Sequence, residues 1–221
     1  MEEIRISGQL VDVVARSIRP ATITISGTKI ISVEFVGEAP NVYLIPGFVD
    51  AHIHIESSML LPAEFARQSV VHGTVACVCD PHEIANVCGV EGIDYMIKNG
   101  KQSPLKFYFG APSCVPATEF DSAGAVLDAS KVDELLARDD IYFLAEMMNY
   151  PGVIEQDAQV HAKLAAARKY HKPIDGHAPE LTGEGLKAYA AAGISTDHEC
   201  MTTAEAEEKI ALGMQILIRE G

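Results

Sequence analysis

The stretch that decides the fold reads Pro46-Gly47-Phe48-Val49-Asp50-Ala51-His52-Ile53-His54-Ile55-Glu56. A Pro-Gly turn followed by apolar residues is typical of the start of a buried strand. Because alternate residues of a strand share a face, we expect the side chains of His52 and His54 to point together, while Ile53 and Ile55 pack in the core. Two neutral imidazoles one strand-step apart can bind one divalent metal ion. The pair alone does not separate a metal site from a structural pair, because short motifs also occur by chance.

From Pro46 onward, short apolar segments alternate with segments of helical spacing, such as Val90, Ile93 and Ile97. This alternation predicts an α/β fold with a parallel sheet, either doubly wound or a (β/α)8 barrel. The predicted strands lie at 48–54, 74–80, 105–110, 141–147, 173–177, 194–198 and 214–218. A closed barrel needs an eighth strand, so the pattern leaves open whether the sheet is open or the sequence is a fragment.

The first 45 residues have a different pattern. Short β-branched segments at 4–6, 10–14, 21–25 and 29–33 are separated by Gly8, Pro20, Gly27 and Gly37. This pattern predicts a small all-β unit. We therefore divide the chain into an N-terminal β part, residues 1–45, and an α/β part, residues 46–221.

Composition limits the possible partners. The chain has 221 residues, of which 48% are hydrophobic, so it can bury a sizeable core. Its 31 acidic and 17 basic residues give a net charge of −14, which disfavours binding to nucleic acid or to an anionic membrane. The N-terminus lacks a signal-type apolar run, and no apolar stretch reaches membrane-spanning length. We predict a cytoplasmic protein with neither nucleic-acid nor membrane partners.

Polar side chains recur where the predicted strands end. In parallel α/β folds the ligand site lies at that edge of the sheet. Several buried imidazoles and carboxylates would be costly to keep together without a metal ion. The side chains at these strand ends are those of His52, His54, Asp80, His82, Glu83, Glu146, His177, Asp197, His198 and Glu199.

This set of residues predicts a centre with two divalent ions, in which His52 and His54 hold one ion and His177 and His198 the other. Glu146 lies between the ions. Such a centre acidifies water into a nucleophile that attacks an sp² carbon or a phosphorus, which indicates a hydrolase. Histidine and carboxylate ligands suit manganese, iron and zinc alike. Four further residues are candidates for contact with substrate or metal, and equally for loop capping or hydrogen bonding to the ligands: Asp80, His82, Glu83 and Glu119.

Other motifs are less compatible with the sequence. His54-Ile55-Glu56 matches the H-x-E half of a zinc-deaminase signature, but P-C-x-x-C is absent and Cys77-Val78-Cys79 has the wrong spacing. H-E-x-x-H, G-x-S-x-G and Walker A sequences are also absent. Glu205, Glu207 and Glu208 are interpreted as the solvated face of a helix.

The segments around the candidate site resemble the amidohydrolase superfamily and, within it, the adenine deaminases. The first-strand segment quoted above is similar to the superfamily signature. Many members of the superfamily carry a carboxylated lysine at the end of the fourth strand, where this chain has Glu146, as in the adenine deaminase pattern. The resemblance extends over nearly the whole chain, and its narrower segments are Ile55-Glu56-Ser57-Ser58-Met59, Asp80-Pro81-His82-Glu83-Ile84-Ala85-Asn86, Cys114-Val115-Pro116-Ala117-Thr118, His177-Ala178-Pro179 and Thr196-Asp197-His198-Glu199.

The resemblance implies a fold and an activity. The fold is a TIM-type (β/α)8 barrel with strands one to seven present and strand eight missing, flanked by a β-sandwich that includes the first 45 residues. The activity is hydrolysis of adenine to hypoxanthine and ammonia, a step of purine salvage. The family places a catalytic aspartate at the end of strand eight, so the residue expected to move protons lies beyond Gly221.

Two alternatives stay open on the sequence. One is a different amidohydrolase that acts on a cyclic amide or another purine, because metal ligands specify the nucleophile and not the ring attacked. The other is an inactive truncated fragment, since an open barrel exposes unpaired strand edges. For the same reason we expect a homo-oligomer or association with a C-terminal remainder.

Overall fold

The computed structural model describes residues 3–118 and 120–219. The chain separates into two compact units, Met1–Gly47 and Phe48–Gly221. Among the described helices, none is both long enough and apolar enough to cross a membrane.

The first unit contains one four-stranded sheet in the order β3-β2-β1-β4. Strand β1 pairs antiparallel with β2 and parallel with β4, and β2 pairs antiparallel with β3. Gly27, in the tight turn between β2 and β3, has a φ of 60°, a backbone conformation that glycine adopts without steric cost. The strands are β1 (Glu3–Asp12), β2 (Ser17–Ser26), β3 (Lys29–Phe35) and β4 (Tyr43–Leu44).

The prediction that Gly8 separates two strands is wrong, because segments 4–6 and 10–12 belong to the single strand β1. A Cβ atom at Gly8 would lie 2.5 Å from the carbonyl oxygen of Val42. The same oxygen accepts a hydrogen bond from the backbone N–H of Gln9 at 2.7 Å. Glycine at this position therefore marks a close approach of two backbones and not the end of a strand.

The second unit is built on a parallel sheet whose five strands follow one another in chain order, β5 to β9. Strands β10 and β11 form a separate parallel pair, and the N–H of Ser195 joins this pair to β9 through the carbonyl oxygen of Ile174 at 3.0 Å. Each strand region predicted after residue 46 overlaps an observed strand. The strands are β5 (Phe48–Ile53), β6 (Thr74–Cys79), β7 (Lys106–Ala111), β8 (Phe143–Met147), β9 (Ile174–Gly176), β10 (Thr196–Asp197) and β11 (Gln215–Ile216).

The order of these strands distinguishes between the two architectures that the sequence left open. A doubly wound sheet reverses its strand order at a switch point, whereas consecutive parallel neighbours are the pattern of a TIM-type barrel. The described strands show no reversal. The unit is therefore TIM-barrel-like, with helices α1 (Pro62–Ser69), α2 (His82–Gly100), α3 (Ala129–Leu136), α4 (Tyr150–Ile154), α5 (Ala158–Lys169), α6 (Gly183–Ala191) and α7 (Thr203–Ala211).

The helices begin where local chemistry favours it. Pro62 occupies the first turn of α1, as predicted, and Asp157 caps α5 by accepting the N–H of Val160 at 2.8 Å. Their apolar faces pack on the sheet, where Ile93 of α2 and Leu164 of α5 are fully buried. All five residues of β8 are buried as well, so this strand is held on both faces by the core.

Strands β9 and β10 approach each other closely at Gly176. A Cβ atom there would lie 2.2 Å from the carbonyl oxygen of Thr196 and 2.8 Å from a methyl carbon of Ile194. The nearest atom belongs to the backbone, so a side-chain rotation cannot relieve the clash.

We expect Gly176→Ala to destabilise the chain by about 1–3 kcal/mol, the usual cost of overpacking. The matched control is Gly37→Ala, because a Cβ atom at Gly37 has no neighbour within 4 Å. Urea unfolding of both variants measures the difference in the free energy of unfolding. A Gly176→Ala variant as stable as the control would contradict the close approach.

Candidate metal centre

The carboxylate of Glu146, on β8, lies at the centre of a cluster of imidazoles and is only 2% exposed. Its Oε2 lies 2.8 Å from Nδ1 of His177 and 2.9 Å from Nε2 of His198. Its Oε1 lies 3.6 Å from Nε2 of His54, and its Oε2 lies 3.8 Å from Nε2 of His52. The structure thus brings together the side chains of all five residues that the sequence predicts as metal ligands.

His52 lies near the carboxyl end of β5, and His54 follows that strand directly. Their Nε2 atoms lie 3.1 Å apart, as expected for alternate residues of one strand. Nδ1 of His52 faces Oδ2 of Asp175 at 2.8 Å, and Nδ1 of His54 faces the carbonyl oxygen of Asp80 at 3.0 Å. Both acceptors require a proton on Nδ1, so in the neutral rings both Nε2 lone pairs point at one place. Two converging lone pairs are the arrangement that a bound cation stabilises.

His198 follows β10 and is 3% exposed, with its ring stacked on that of His52 at a centroid separation of 3.7 Å. Within the described residues, Nδ1 of His198 has no hydrogen-bond partner, and its Nε2 lies 2.9 Å from Oε2 of Glu146 without the geometry of a good hydrogen bond. An unsatisfied buried imidazole carries a desolvation cost that a metal ion would remove. These residues therefore fit a divalent metal ion.

The groups around Glu146 keep its carboxylate ionised. Burial would raise the pKa of Glu146, but the imidazoles of His177 and His198 hold that pKa well below its usual range. Burial would lower the pKa of His52, but its hydrogen bond to Asp175 and the charge of Glu146 raise it above the ordinary value. The cluster thus stabilises an ionised carboxylate next to positive charge.

Of the four residues predicted as further contacts to substrate or metal, two lie in the cluster around Glu146. Nδ1 of His82 lies 3.0 Å from Oδ2 of Asp80 and 3.3 Å from Oε1 of Glu146, so Asp80 and His82 join the cluster. Burial would lower the pKa of His82, but Asp80 raises it to about 9. Glu83 instead accepts a hydrogen bond from the Ser57 hydroxyl at 2.6 Å. Glu119 lies outside the described residues.

Three overlapping groups of side chains have ligand atoms close enough together to hold a divalent ion. In each group these atoms lie within 4.8 Å of one another, and two of the groups share Glu146. The groups are His54 with Asp80, His82 and Glu146; His52 with Glu146 and His198; and His177 with His198 and Glu199. The pairing of His52 with His54 on one ion remains a prediction, since these groups place His52 with His198.

Several residues that support the site were not predicted from the sequence. Asp175, on β9, orients His52, and its position two residues before His177 is a signal that strand alternation could have revealed. Ser113 donates to the carbonyl oxygen of Glu146 at 2.5 Å. The Tyr189 hydroxyl donates to the carbonyl oxygen of Met147 at 2.7 Å and accepts from the N–H of His177 at 2.9 Å. Ser113 and Tyr189 carry no local sequence signal.

The prediction that Glu205 lies on a solvated helix face is wrong, because its side chain is buried and accepts a hydrogen bond from Lys209 at 2.6 Å. The two residues are one turn apart on α7, and Lys209 is fully buried. Glu207 is exposed, as predicted.

A cavity of about 710 Å³ opens beside the cluster. Its wall includes the imidazoles of His52, His54 and His198, the side chain of Ser57, and apolar residues such as Ile218. This volume is in the range of small-molecule sites. The arrangement can therefore present a small organic molecule to a metal centre.

Solved structures share the fold of this chain. An N-isopropylammelide isopropylaminohydrolase from Burkholderia multivorans matches 99% of the chain and 68% of its own length, with a TM-score of 0.56 and 16% identity. An N-acetyl-D-glucosamine-6-phosphate deacetylase from Mycobacterium smegmatis matches 88% of the chain and 55% of its own length, with a TM-score of 0.58 and 13% identity. At these identities the comparison concerns the fold alone.

Curated relatives are much more similar in sequence, and each is named adenine deaminase. The protein of Methanosarcina mazei is 59% identical over 97% of this chain, that of Salinibacter ruber 56% over 98%, and that of Borreliella burgdorferi 50% over 100%. The chain spans 39%, 40% and 41% of their respective lengths. The profile described as "Amidohydrolase family" matches residues 43–219, and the chain therefore belongs to the amidohydrolase family.

Proposed function

We propose that this chain supplies most of the metal centre of an adenine deaminase, which hydrolyses adenine to hypoxanthine and ammonia. The observation that carries the proposal is the 50–59% identity with curated adenine deaminases over nearly the whole chain. The cluster around Glu146 supports it, because its imidazoles and carboxylate are suited to hydrolytic metal chemistry.

The proposed centre holds two divalent ions of manganese, iron or zinc. His52 and His54 would bind one ion, His177 and His198 the other, and Glu146 would lie between them. Divalent ions bound in such a centre acidify water and polarise the carbon under attack. The remaining proposed contacts, to the ions or to the substrate, come from Asp80, His82, Glu83 and Glu119.

Hydrogen bonds within this chain set the tautomers of His52 and His54. Asp175 keeps the proton of His52 on Nδ1, and the carbonyl oxygen of Asp80 does the same for His54. Each Nε2 is thereby left free to act as a ligand. The ring orientation is fixed at the same time, so the ligands need little rearrangement when an ion binds.

The proposal also covers the complete barrel and the N-terminal domain. We propose a closed (β/α)8 barrel whose eighth strand, with a catalytic aspartate, lies beyond Gly221, and an N-terminal β-sandwich that includes residues 1–45, with residues 46–221 as the barrel domain. A C-terminal remainder or a second copy would cover the open sheet edges, which otherwise expose unpaired backbone groups. We place the enzyme in the cytoplasm and in purine metabolism, with adenine as its small-molecule partner.

The substrate is tested by ammonia release from adenine. We expect the protein extended to the full length of its relatives to release ammonia and hypoxanthine when loaded with manganese, iron or zinc, and the 221-residue chain to bind the ions with little turnover. Metal content per chain, measured with turnover on both proteins, checks this. Preference for a cyclic amide or another purine in a substrate panel would identify a different amidohydrolase.

The role of Glu146 is tested by Glu146→Gln, which keeps the size of the side chain and removes its charge. We expect metal affinity to fall at least about 10-fold, because the charge that offsets two cations is lost. Glu207→Gln makes the same change at an exposed position of α7 and should leave metal binding unchanged. Two ions retained at wild-type affinity in the folded Glu146→Gln protein would remove Glu146 from the site.

The role of Asp175 is tested by Asp175→Asn. If its amide nitrogen faces His52, it donates to Nδ1, which moves the imidazole proton to Nε2 and removes the ligand lone pair. We expect metal affinity to fall about 10–100-fold while the protein stays folded. Competition with a chromogenic chelator measures the affinity, and an unchanged value would show that Asp175 does not set the tautomer of His52.

A further inference from the structure

Lys209 is fully buried in α7, and its ammonium group donates to three acceptors. These are a carboxylate oxygen of Asp197, Oε1 of Glu205 at 2.6 Å, and the carbonyl oxygen of Ala178 at 2.7 Å. An ammonium group has three N–H donors, so all of them are used. The rest of the proposed chemistry does not involve this cluster, named here the Lys209 cluster (Asp197, Glu205 and Lys209).

The two carboxylates of the Lys209 cluster also bind backbone N–H groups beside the candidate ligands. Oδ1 of Asp197 accepts from the N–H of Ala178 at 3.1 Å, directly after His177. The same oxygen lies 3.3 Å from the N–H of Glu199, directly after His198. One carboxylate therefore holds the chain immediately behind both imidazoles.

Glu205 extends this hold further along both loops. Its Oε1 accepts from the N–H of Glu180 at 2.9 Å, and its Oε2 accepts from the N–H of Met201 at 3.0 Å. The loop after β9 and the loop after β10 are thus tied to one side chain of α7. Lys209 joins this carboxylate to Asp197 and so links the two sets of bonds.

The acidic groups of the Lys209 cluster are not arranged for a metal ion of their own. Asp197, Cys200 and Glu205 have ligand atoms within 4.8 Å of one another, but the Lys209 ammonium lies between the two carboxylates. Nor is a buried ion cluster needed for stability, since apolar residues of similar volume often serve as well or better. Orientation of the loops is the role that the hydrogen bonds of this cluster support.

We propose that Lys209 is a positioning residue that, through Asp197 and Glu205, holds the loops carrying His177 and His198 in the geometry for metal binding. This inference rests on the proposed metal centre. Lys209 donates to Asp197, Glu205 and Ala178 and not to the proposed ligands, so its loss changes metal binding through the orientation of the two imidazoles.

The test compares the wild-type chain with the double variant Lys209→Met/Glu205→Gln. The two substitutions remove one positive and one negative charge, so the net charge of the Lys209 cluster is unchanged. The matched control is Lys187→Met/Glu207→Gln, which makes the same replacements at the surface. The Lys187 side chain is 57% exposed, and its one partner among the described residues is Glu184. Metal-free proteins are titrated with Co²⁺ against a chromogenic chelator, and the visible spectrum of the bound cobalt is recorded.

We expect the double variant to bind Co²⁺ about 10-fold or more weakly than wild type, with an altered visible spectrum, because the ligand geometry is relaxed. The control should match wild type in both measurements. A folded double variant with wild-type affinity and spectrum would overturn the proposal. If the double variant does not fold, Glu205→Gln alone decides, since its amide cannot accept both backbone N–H groups; unchanged binding by this variant also overturns the proposal.

The wild-type titration separates this inference from the proposed function. If wild type binds no Co²⁺, the proposed metal centre fails. If wild type binds Co²⁺ and the folded variant binds it equally well, only the role of Lys209 fails.

Discussion

The buried carboxylate of Glu146 is the constraint to which the rest of the site conforms. An ionised carboxylate in a protein interior is costly unless hydrogen bonds and positive charge surround it. Here His177 and His198 approach one oxygen, and His54 and His82 approach the other. The strand that carries Glu146 is buried along its whole length, so the carboxylate cannot turn to solvent. The parallel sheet places the histidines around this carboxylate, because they lie at the carboxyl ends of other strands.

A second layer of contacts holds these imidazoles in place. Asp175 and the carbonyl oxygen of Asp80 set the protonation of the first pair, whereas the Lys209 cluster and Tyr189 fix the backbone behind the second pair. The two pairs are thus supported differently. His52 and His54 are oriented through hydrogen bonds to their rings, whereas His177 and His198 are oriented through hydrogen bonds to the loops that carry them.

Much of the fold and most of the candidate ligands could be predicted because they depend on local patterns. Short apolar runs after turns predicted the strand positions, and alternation predicted that His52 and His54 point together. Two predictions that treated a residue without its neighbours were wrong. Gly8 was interpreted as a strand break because the approach of Val42 cannot be read locally. Glu205 was interpreted as solvated because the sequence of a polar helix does not show that the glutamate is buried with Lys209.

The sequence by itself determined the parallel α/β architecture, the polar residues at its strand ends and the resemblance to the amidohydrolases. These follow from periodicity and from motifs a few residues long. Only the tertiary structure decided which distant groups meet, such as His52 with Asp175, which lies 123 residues away along the chain. It also decided how the two oxygens of Glu146 are shared among the imidazoles. The physical reason is that periodicity specifies the face on which a side chain lies, whereas hydrogen bonds of about 3 Å depend on how whole strands and helices pack.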